Sequence, residues 1–278
     1  MGPTIETIDQ SVFRHISECT EESAKHFQKS VRPIYASTDG NNPIPIGSCV
    51  LLLVDGQRYV VTAAHIIDWI SDAALYVAGL VGQRLVQILG DVSSTRPPTG
   101  GRRKDRWDFA FWPISAEIAS ALGAVRFLDA NEVSQNRATP NNRVYMAIGY
   151  PENKNKRKVD KPKRQIKTVL RKYSSNVLEL PNLARELDIS GDEHFFLRFE
   201  KRSQDSNGKR VTTFNPVGMS GGAFVDLGNF ATVSKYLPES DRNGRLSGIV
   251  GQLQLDVLMR PTLISLVHLV VPALAEPQ

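Results

Sequence analysis

From residue 7 to residue 29, Ile8, Val12, Ile16, Cys19, Ser23 and Phe27 recur at spacings of three or four. That period puts them on one face of an α-helix. Thr7 followed by Gln10 makes a capping box at its start, and Pro33 ends the pattern. The period then shortens. Residues 46–54 are a run of β-formers, Asp55-Gly56 supplies a turn that tolerates positive φ, and residues 58–62 return, which together predict a hairpin. Further strands are predicted at 75–81, 83–89, 107–112, 143–149, 166–173, 194–200, 223–227 and 246–255. Residues 93–106, rich in Ser, Thr, Pro, Gly and basic residues, read as a loop. A short helix is predicted at 115–122, with Ser115 as N-cap and Gly123 as stop, and a terminal helix at 262–275 after Pro261. Many short strands separated by turns predict a mainly β protein built as a sandwich or as barrels. No internal repeat is visible.

Composition narrows the class. The chain has 278 residues, 41% hydrophobic and 23% charged, enough for a full core in one large domain or two small ones. It has two cysteines, Cys19 and Cys49, so at most one bridge could form, which favours a reducing compartment. No basic patch followed by an apolar run opens the sequence, and the longest apolar run, 263–275, is too short to span a bilayer. The expectation is a cytoplasmic protein with no membrane partner.

The net charge of +5 is unevenly placed. Segment 152–172 carries ten basic residues against Glu152 and Asp160. Such a run is usually a solvated loop. Its functional alternative is an acidic partner or nucleic acid held by charge. His15, His26, His194 and His268 lack the spacing of metal ligands, and no Gly-rich phosphate loop is present, so neither metal nor cofactor is expected.

The chemistry concentrates in three short motifs. Thr62-Ala63-Ala64-His65 follows the predicted hairpin, Asp108-Phe109-Ala110 lies in an aromatic strand, and Gly218-Met219-Ser220-Gly221-Gly222 frames a serine with glycines. A serine hydroxyl needs an imidazole to take its proton and a carboxylate to hold that imidazole in one tautomer. Asp105 competes for the carboxylate role, but beside Arg102, Arg103, Lys104 and Arg106 it reads as a solvated loop charge.

In this order the motifs resemble those of the chymotrypsin-like (trypsin-like) serine peptidases, of the bacterial intracellular type. Gly248-Ile249-Val250-Gly251 is similar to the strand that lines that family's substrate cleft. The resemblance covers about residues 31–275, mostly through these short motifs. It implies two six-stranded antiparallel β-barrels with the site between them, barrel one at about 31–115 and barrel two at about 140–258. Residues 1–30 would be a helical extension and 262–275 a C-terminal helix. The activity implied is that of a serine-type endopeptidase acting on protein or peptide through an acyl-enzyme. His65, Asp108 and Ser220 would be catalytic, and the N–H groups of Gly218 and Ser220 would form the oxyanion hole.

Departures from the family pattern carry information. Met219 stands where many secreted members have an Asp that pairs with a newly cut N-terminus, so that activation route is not expected. Gly251 replaces a common Ser that supports the triad Asp. The pocket-base position is Phe214 rather than Asp. With Gly251 and Leu253 it implies a shallow apolar pocket rather than a preference for Lys or Arg. Two other functions fit parts of the sequence. One is a non-catalytic binding module on a peptidase scaffold. The other is an α/β-hydrolase esterase using Ser220 with Asp256 and His268, but that fold requires a helix directly after the serine, where 223–227 reads as a strand.

Overall fold

The computed structural model of the chain describes residues 7–39, 42–80, 84–96, 100–102, 105–134, 143–156, 159–160, 165–178, 181–186, 194–230, 244–255 and 261–267. Helix α1 (Ile8–Phe27) begins at the predicted capping box, where Thr7 and Gln10 exchange side-chain and backbone bonds. The next elements form a first sheet: β1 (Val31–Ser37), β2 (Ile44–Val54), β3 (Gln57–Thr62), β4 (Ala74–Ala78), β5 (Leu85–Gln87), β6 (Ser93–Ser94) and β7 (Ala110–Ile114). Their spatial order is β5-β4-β1-β2-β3-β7-β6, all antiparallel, with β8 (Leu128–Asp129) added parallel to β2. Asp55 and Gly56 take φ of 49° and 80° between β2 and β3, the positive pair that a two-residue hairpin turn requires. Helix α2 (Ala64–Ile67) follows β3 directly, and α3 (Ala116–Ala121) is capped by Ser115 as predicted.

The second half begins with β9 (Arg143–Gly149) and α4 (Glu152–Asn155). A small ribbon pairs β10 (Val159–Asp160) with β11 (Gln165–Ile166). Then come β12 (Arg171–Leu178), β13 (His194–Arg198), the hairpin β14 (Arg202–Gln204) and β15 (Arg210–Thr212), β16 (Ala223–Asn229), β17 (Arg245–Leu255) and β18 (Pro261–Val267). Antiparallel pairing runs β12-β13-β18-β17-β16-β9 and returns to β12.

The protein is therefore mainly β and built on two large antiparallel sheets; the second closes through six strands as expected, but the first is not a closed six-stranded barrel. The first sheet has eight strands and stays open among the described residues. Its end strands, β5 and β6, span only three and two residues, too short to pair its edges together. The predicted helix at 262–275 is also corrected. Residues 261–267 form β18, whose backbone pairs with both β13 and β17. A strand with two neighbours satisfies its peptide groups as fully as a helix would; residues 268–275 lie outside the described ones. The predicted strand at 166–173 sits five residues later, as β12, with β11 before it.

Buried clusters hold these parts, three of them large. One lies within the first sheet, around Leu51, Val60, Val77 and Trp112. Another lies within the second, around Phe195, Leu197, Phe224 and Val250. The largest is shared: Val50, Leu52 and Val61 meet Met146, Ile148, Val225 and Ile249 from the other sheet, and α1 adds Cys19, Ala24 and Phe27. Helix α1 is thus part of the core. Glu132 ties its end down, accepting from His26 Nε2 at 2.8 Å and from Arg126.

Both cysteines are free and buried. Burial pushes the Cys49 thiol up to about 12, so almost no thiolate exists at neutral pH. Native protein at pH 8 should therefore resist alkylation at Cys49, while denatured protein should react quickly. Mass spectrometry after a short iodoacetamide pulse reads the difference.

Candidate active site

The segment Pro216–Gly222 makes two successive turns. The Met219 N–H donates to Pro216 O at 2.9 Å, and the Gly222 N–H donates to Met219 O at 2.8 Å. The third residue of each turn is a glycine, Gly218 at φ 93° and Gly221 at φ 81°, the type II arrangement. Ser220 occupies the partly buried second position of the second turn. Space also demands glycine at 221. A Cβ there would stand 2.0 Å from Ser48 O and 2.1 Å from Thr62 Oγ1. The Ser220 turn is thus pressed onto the strand that leads to His65.

Ser48 in β2 completes this junction. Its N–H donates to Ser220 O at 2.8 Å and its Oγ donates to Gly218 O at 3.0 Å. The same Oγ accepts the Tyr150 N–H at 2.9 Å, and Thr62 Oγ1 donates to Ser48 O at 2.7 Å. A trans peptide points its N–H opposite its C=O. The Glu152 N–H holds Val217 O at 2.8 Å, and the Gly222 N–H holds Met219 O. These bonds fix the directions of the Gly218 and Ser220 N–H groups. Neither N–H donates to a protein acceptor among the described residues, which leaves a pair of oriented donors beside Ser220. Strand β17 closes the other side, exchanging the Gly221 N–H to Val250 O bond at 2.7 Å and the Val250 N–H to Gly222 O bond at 2.8 Å.

His65 is the second residue of α2, which follows β3 after the N-cap Ala63. Its Nδ1 lies 2.7 Å from Asp108 Oδ2, and its backbone N–H donates to Asp108 Oδ1 at 2.9 Å. A carboxylate only accepts, so Nδ1 carries the proton and Nε2 of the neutral ring is the free acceptor. The Asp108 side chain is 7% exposed and that of His65 30%. Asp108 takes φ 45°, an uncommon conformation that Asp tolerates better than most residues. The Ala64 N–H to Asp108 O bond at 3.0 Å helps to hold it.

Asp105 is not a solvated charge. Its side chain is 1% exposed and meets Arg102 at 2.9 Å, Thr95 Oγ1 at 2.8 Å and the Trp107 N–H at 3.2 Å. Arg102 also grips Asp68, at 2.7 Å, three residues after His65. The hydrogen bonds to Asp68, and then to Asp105, hold its guanidinium further in the charged form. One arginine therefore clamps the helical turn that follows His65 to the loop that bears Asp108. On the far side Trp107 stacks on His194 of β13, with ring centroids 5.8 Å apart, and His194 Nε2 lies 2.7 Å from Arg106 O.

The remaining expected site residues are placed unevenly. Ser220 Oγ donates to Gly251 O at 3.2 Å, and no hydrogen bond joins it to His65 among the described residues. Phe214 is half-buried and packs edge-on against Phe199, with centroids 5.4 Å apart. Leu253 lies on β17 opposite Leu263, and its side chain is outside the described residues, as are Asp256 and His268. Met219 is fully buried in the core of the second sheet, with no charged partner. Segment 152–172 is described only in part. Its base is built: Glu152 opens α4, and buried Asn155 bonds Pro151 O at 2.7 Å and the Val169 N–H at 2.8 Å. Among the described residues no group of three metal-ligating side chains assembles, and no helix is long and apolar enough to cross a membrane. No protein-family model and no curated protein sequence matches the chain.

Sequence reasoning missed Ser48, Arg102 and the Glu152 N–H. A serine inside a β-run and an arginine in a basic loop carry no local signal, because their roles exist only across the fold.

Gly221→Ala should destabilise the protein by about 3 kcal/mol or more, from strain at positive φ plus a clash with backbone, read from urea unfolding. Arg102→Ala leaves buried Asp105 without its cation, a loss of about 3 kcal/mol. Arg102→Lys should restore only part of that, because an ammonium cannot reproduce the two-oxygen grip on Asp68. Equal stability of both Arg102 variants and the parent would refute the clamp.

Proposed function

We propose that the protein is a serine endopeptidase of the chymotrypsin-like kind. The observation that carries this reading is the short bond from His65 Nδ1 to the buried Asp108 carboxylate. It leaves Nε2 as a base, and Gly221, the neighbour of Ser220, closely approaches Thr62 and Ala63 in the chain that leads to His65. The order of the three motifs along the chain supports the same reading.

In this mechanism Ser220 rotates its hydroxyl from Gly251 O toward His65 Nε2. Oγ attacks the carbonyl carbon of the scissile bond, and its proton passes to Nε2. Asp108 stabilises the imidazolium that forms. The carbonyl oxygen becomes an oxyanion and accepts from the Gly218 and Ser220 N–H groups, donors of a kind worth about 10²–10³-fold each in rate. His65 then protonates the leaving amine, the C–N bond breaks, and an acyl-enzyme remains on Oγ. Water, giving its proton to the same nitrogen, releases the acid and restores the serine.

An esterase of the α/β-hydrolase type is disfavoured by β16, a strand that begins one residue after Gly222 where that fold needs a helix. A non-catalytic binding module has one observation in its favour, the bond from Ser220 Oγ to Gly251 O in place of His65.

A fluorophosphonate probe separates the readings. Labelling of the wild type that is lost in Ser220→Ala is the expected result, and Asp108→Asn should slow it by about 10⁴-fold by disturbing the tautomer. No labelling of the wild type at any pH from 6 to 9 would favour the binding module. Labelling that survives in Ser220→Ala would remove this nucleophile.

A further inference from the structure

Between α1, β12 and the β14–β15 hairpin lies an open groove of about 1390 Å³. Its apolar lining includes Phe13 and Ile16 of α1, Leu170, Val211 and Phe214. Five exposed cations stand on it: Lys25, Lys154, Arg171, Arg202 and Arg210. None of the five makes an ion pair among the described residues. The register Gln204↔Arg210 puts Arg202, Gln204 and Arg210 on one face of the hairpin, because alternate residues of a strand share a face.

The acidic residues of the groove are fewer, and two are already engaged. Glu21 pairs with Lys172, and Asp205 accepts the N–H groups of Asn207 and Lys209 at 3.0 and 2.9 Å. Glu200, the third, is likewise not without a partner. The groove is therefore positive over an apolar floor. Both of its walls reach the Ser220 turn. Phe214 and Asn215 run directly into Pro216, while Asn153 and Lys154 follow Glu152, whose N–H holds Val217 O.

We propose that this groove binds an extended acidic segment of the substrate protein, with apolar side chains between its carboxylates, and so selects substrates at a distance from the scissile bond. The inference rests on the peptidase reading for its consequence, though not for its binding step. Unpaired surface cations over an apolar floor are complementary to alternating acidic and apolar residues. A peptide fits better than single-stranded nucleic acid. Tyr173 and Phe214 already pack on Phe199, at 4.5 and 5.4 Å between centroids, rather than standing free as platforms for stacked bases.

The test uses the full chain as Ser220→Ala, so that binding is read without turnover. Three fluorescein-labelled probes are titrated by anisotropy: a peptide alternating Glu and Leu, its Gln and Leu counterpart, and an oligothymidylate. The Glu peptide should bind about tenfold tighter than the Gln peptide and weaken as salt rises. The double change Arg202→Glu with Arg210→Glu should cost about tenfold more with the melting temperature unchanged. Equal binding of the two peptides, no effect of the double change, or tighter binding of the oligonucleotide would each overturn the proposal. A second arm gives the wild type a fluorogenic peptide with and without an appended Glu-Leu segment. A lower KM for the appended form, lost in the double variant, is expected. Acidic-peptide binding with neither substrate cleaved would sink the peptidase reading and leave the groove standing; cleavage of both at equal KM would sink the groove alone.

Discussion

The site depends on a close approach of two backbones. Gly221 lies so near Ser48 O and Thr62 Oγ1 that even a methyl group would collide. That contact presses the Ser220 turn, from the second sheet, onto the strand of the first sheet that delivers His65. Ser48 then reinforces the junction, with its N–H on Ser220 O and its Oγ on Gly218 O. Because each peptide is planar, pinning carbonyls on one side aims N–H groups on the other. The pair of free donors beside Ser220 is a by-product of how its neighbours' carbonyls are satisfied.

The imidazole and carboxylate are positioned by different means. Both follow from the first sheet, His65 on the single-turn helix α2 and Asp108 on a loop, where backbone alone gives little precision. Arg102 supplies it, holding Asp68 and Asp105 at once. Asp108 itself accepts from the His65 backbone and ring together. A carboxylate already committed to two donors, in an uncommon backbone conformation, has little freedom to drift.

Helix α1 enlarges this arrangement. Its buried residues join the core shared by the two sheets, and its outer flank becomes one wall of the positive groove. The base of the basic segment forms part of the same surface and also contacts the Ser220 turn through Glu152. Charge that looks concentrated in one loop is thus shared in space with Lys25 of α1 and with the arginines of a hairpin some forty residues farther along the chain.

Much of this was legible beforehand. The α1 capping box, the Asp55-Gly56 hairpin, α3 with its Ser115 cap, and β9 all follow from local period and turn chemistry, which act over a few residues. His65, Asp108 and Ser220 were visible as candidates because each sits in a short motif, and the fold brings His65 and Asp108 within hydrogen-bond distance. Residues 261–267 misled because an apolar run serves a helix or a strand equally well, and only the open flanks of β13 and β17 made it β18. Asp105 misled because neighbouring charges in sequence suggested solvent, whereas the fold buried it. The sequence by itself determined most of the elements and the candidate side chains, since both arise from nearby residues. The tertiary structure alone decided which carboxylate is held, where the two free N–H groups point and where the positive groove lies, because each depends on atoms brought together from distant parts of the chain.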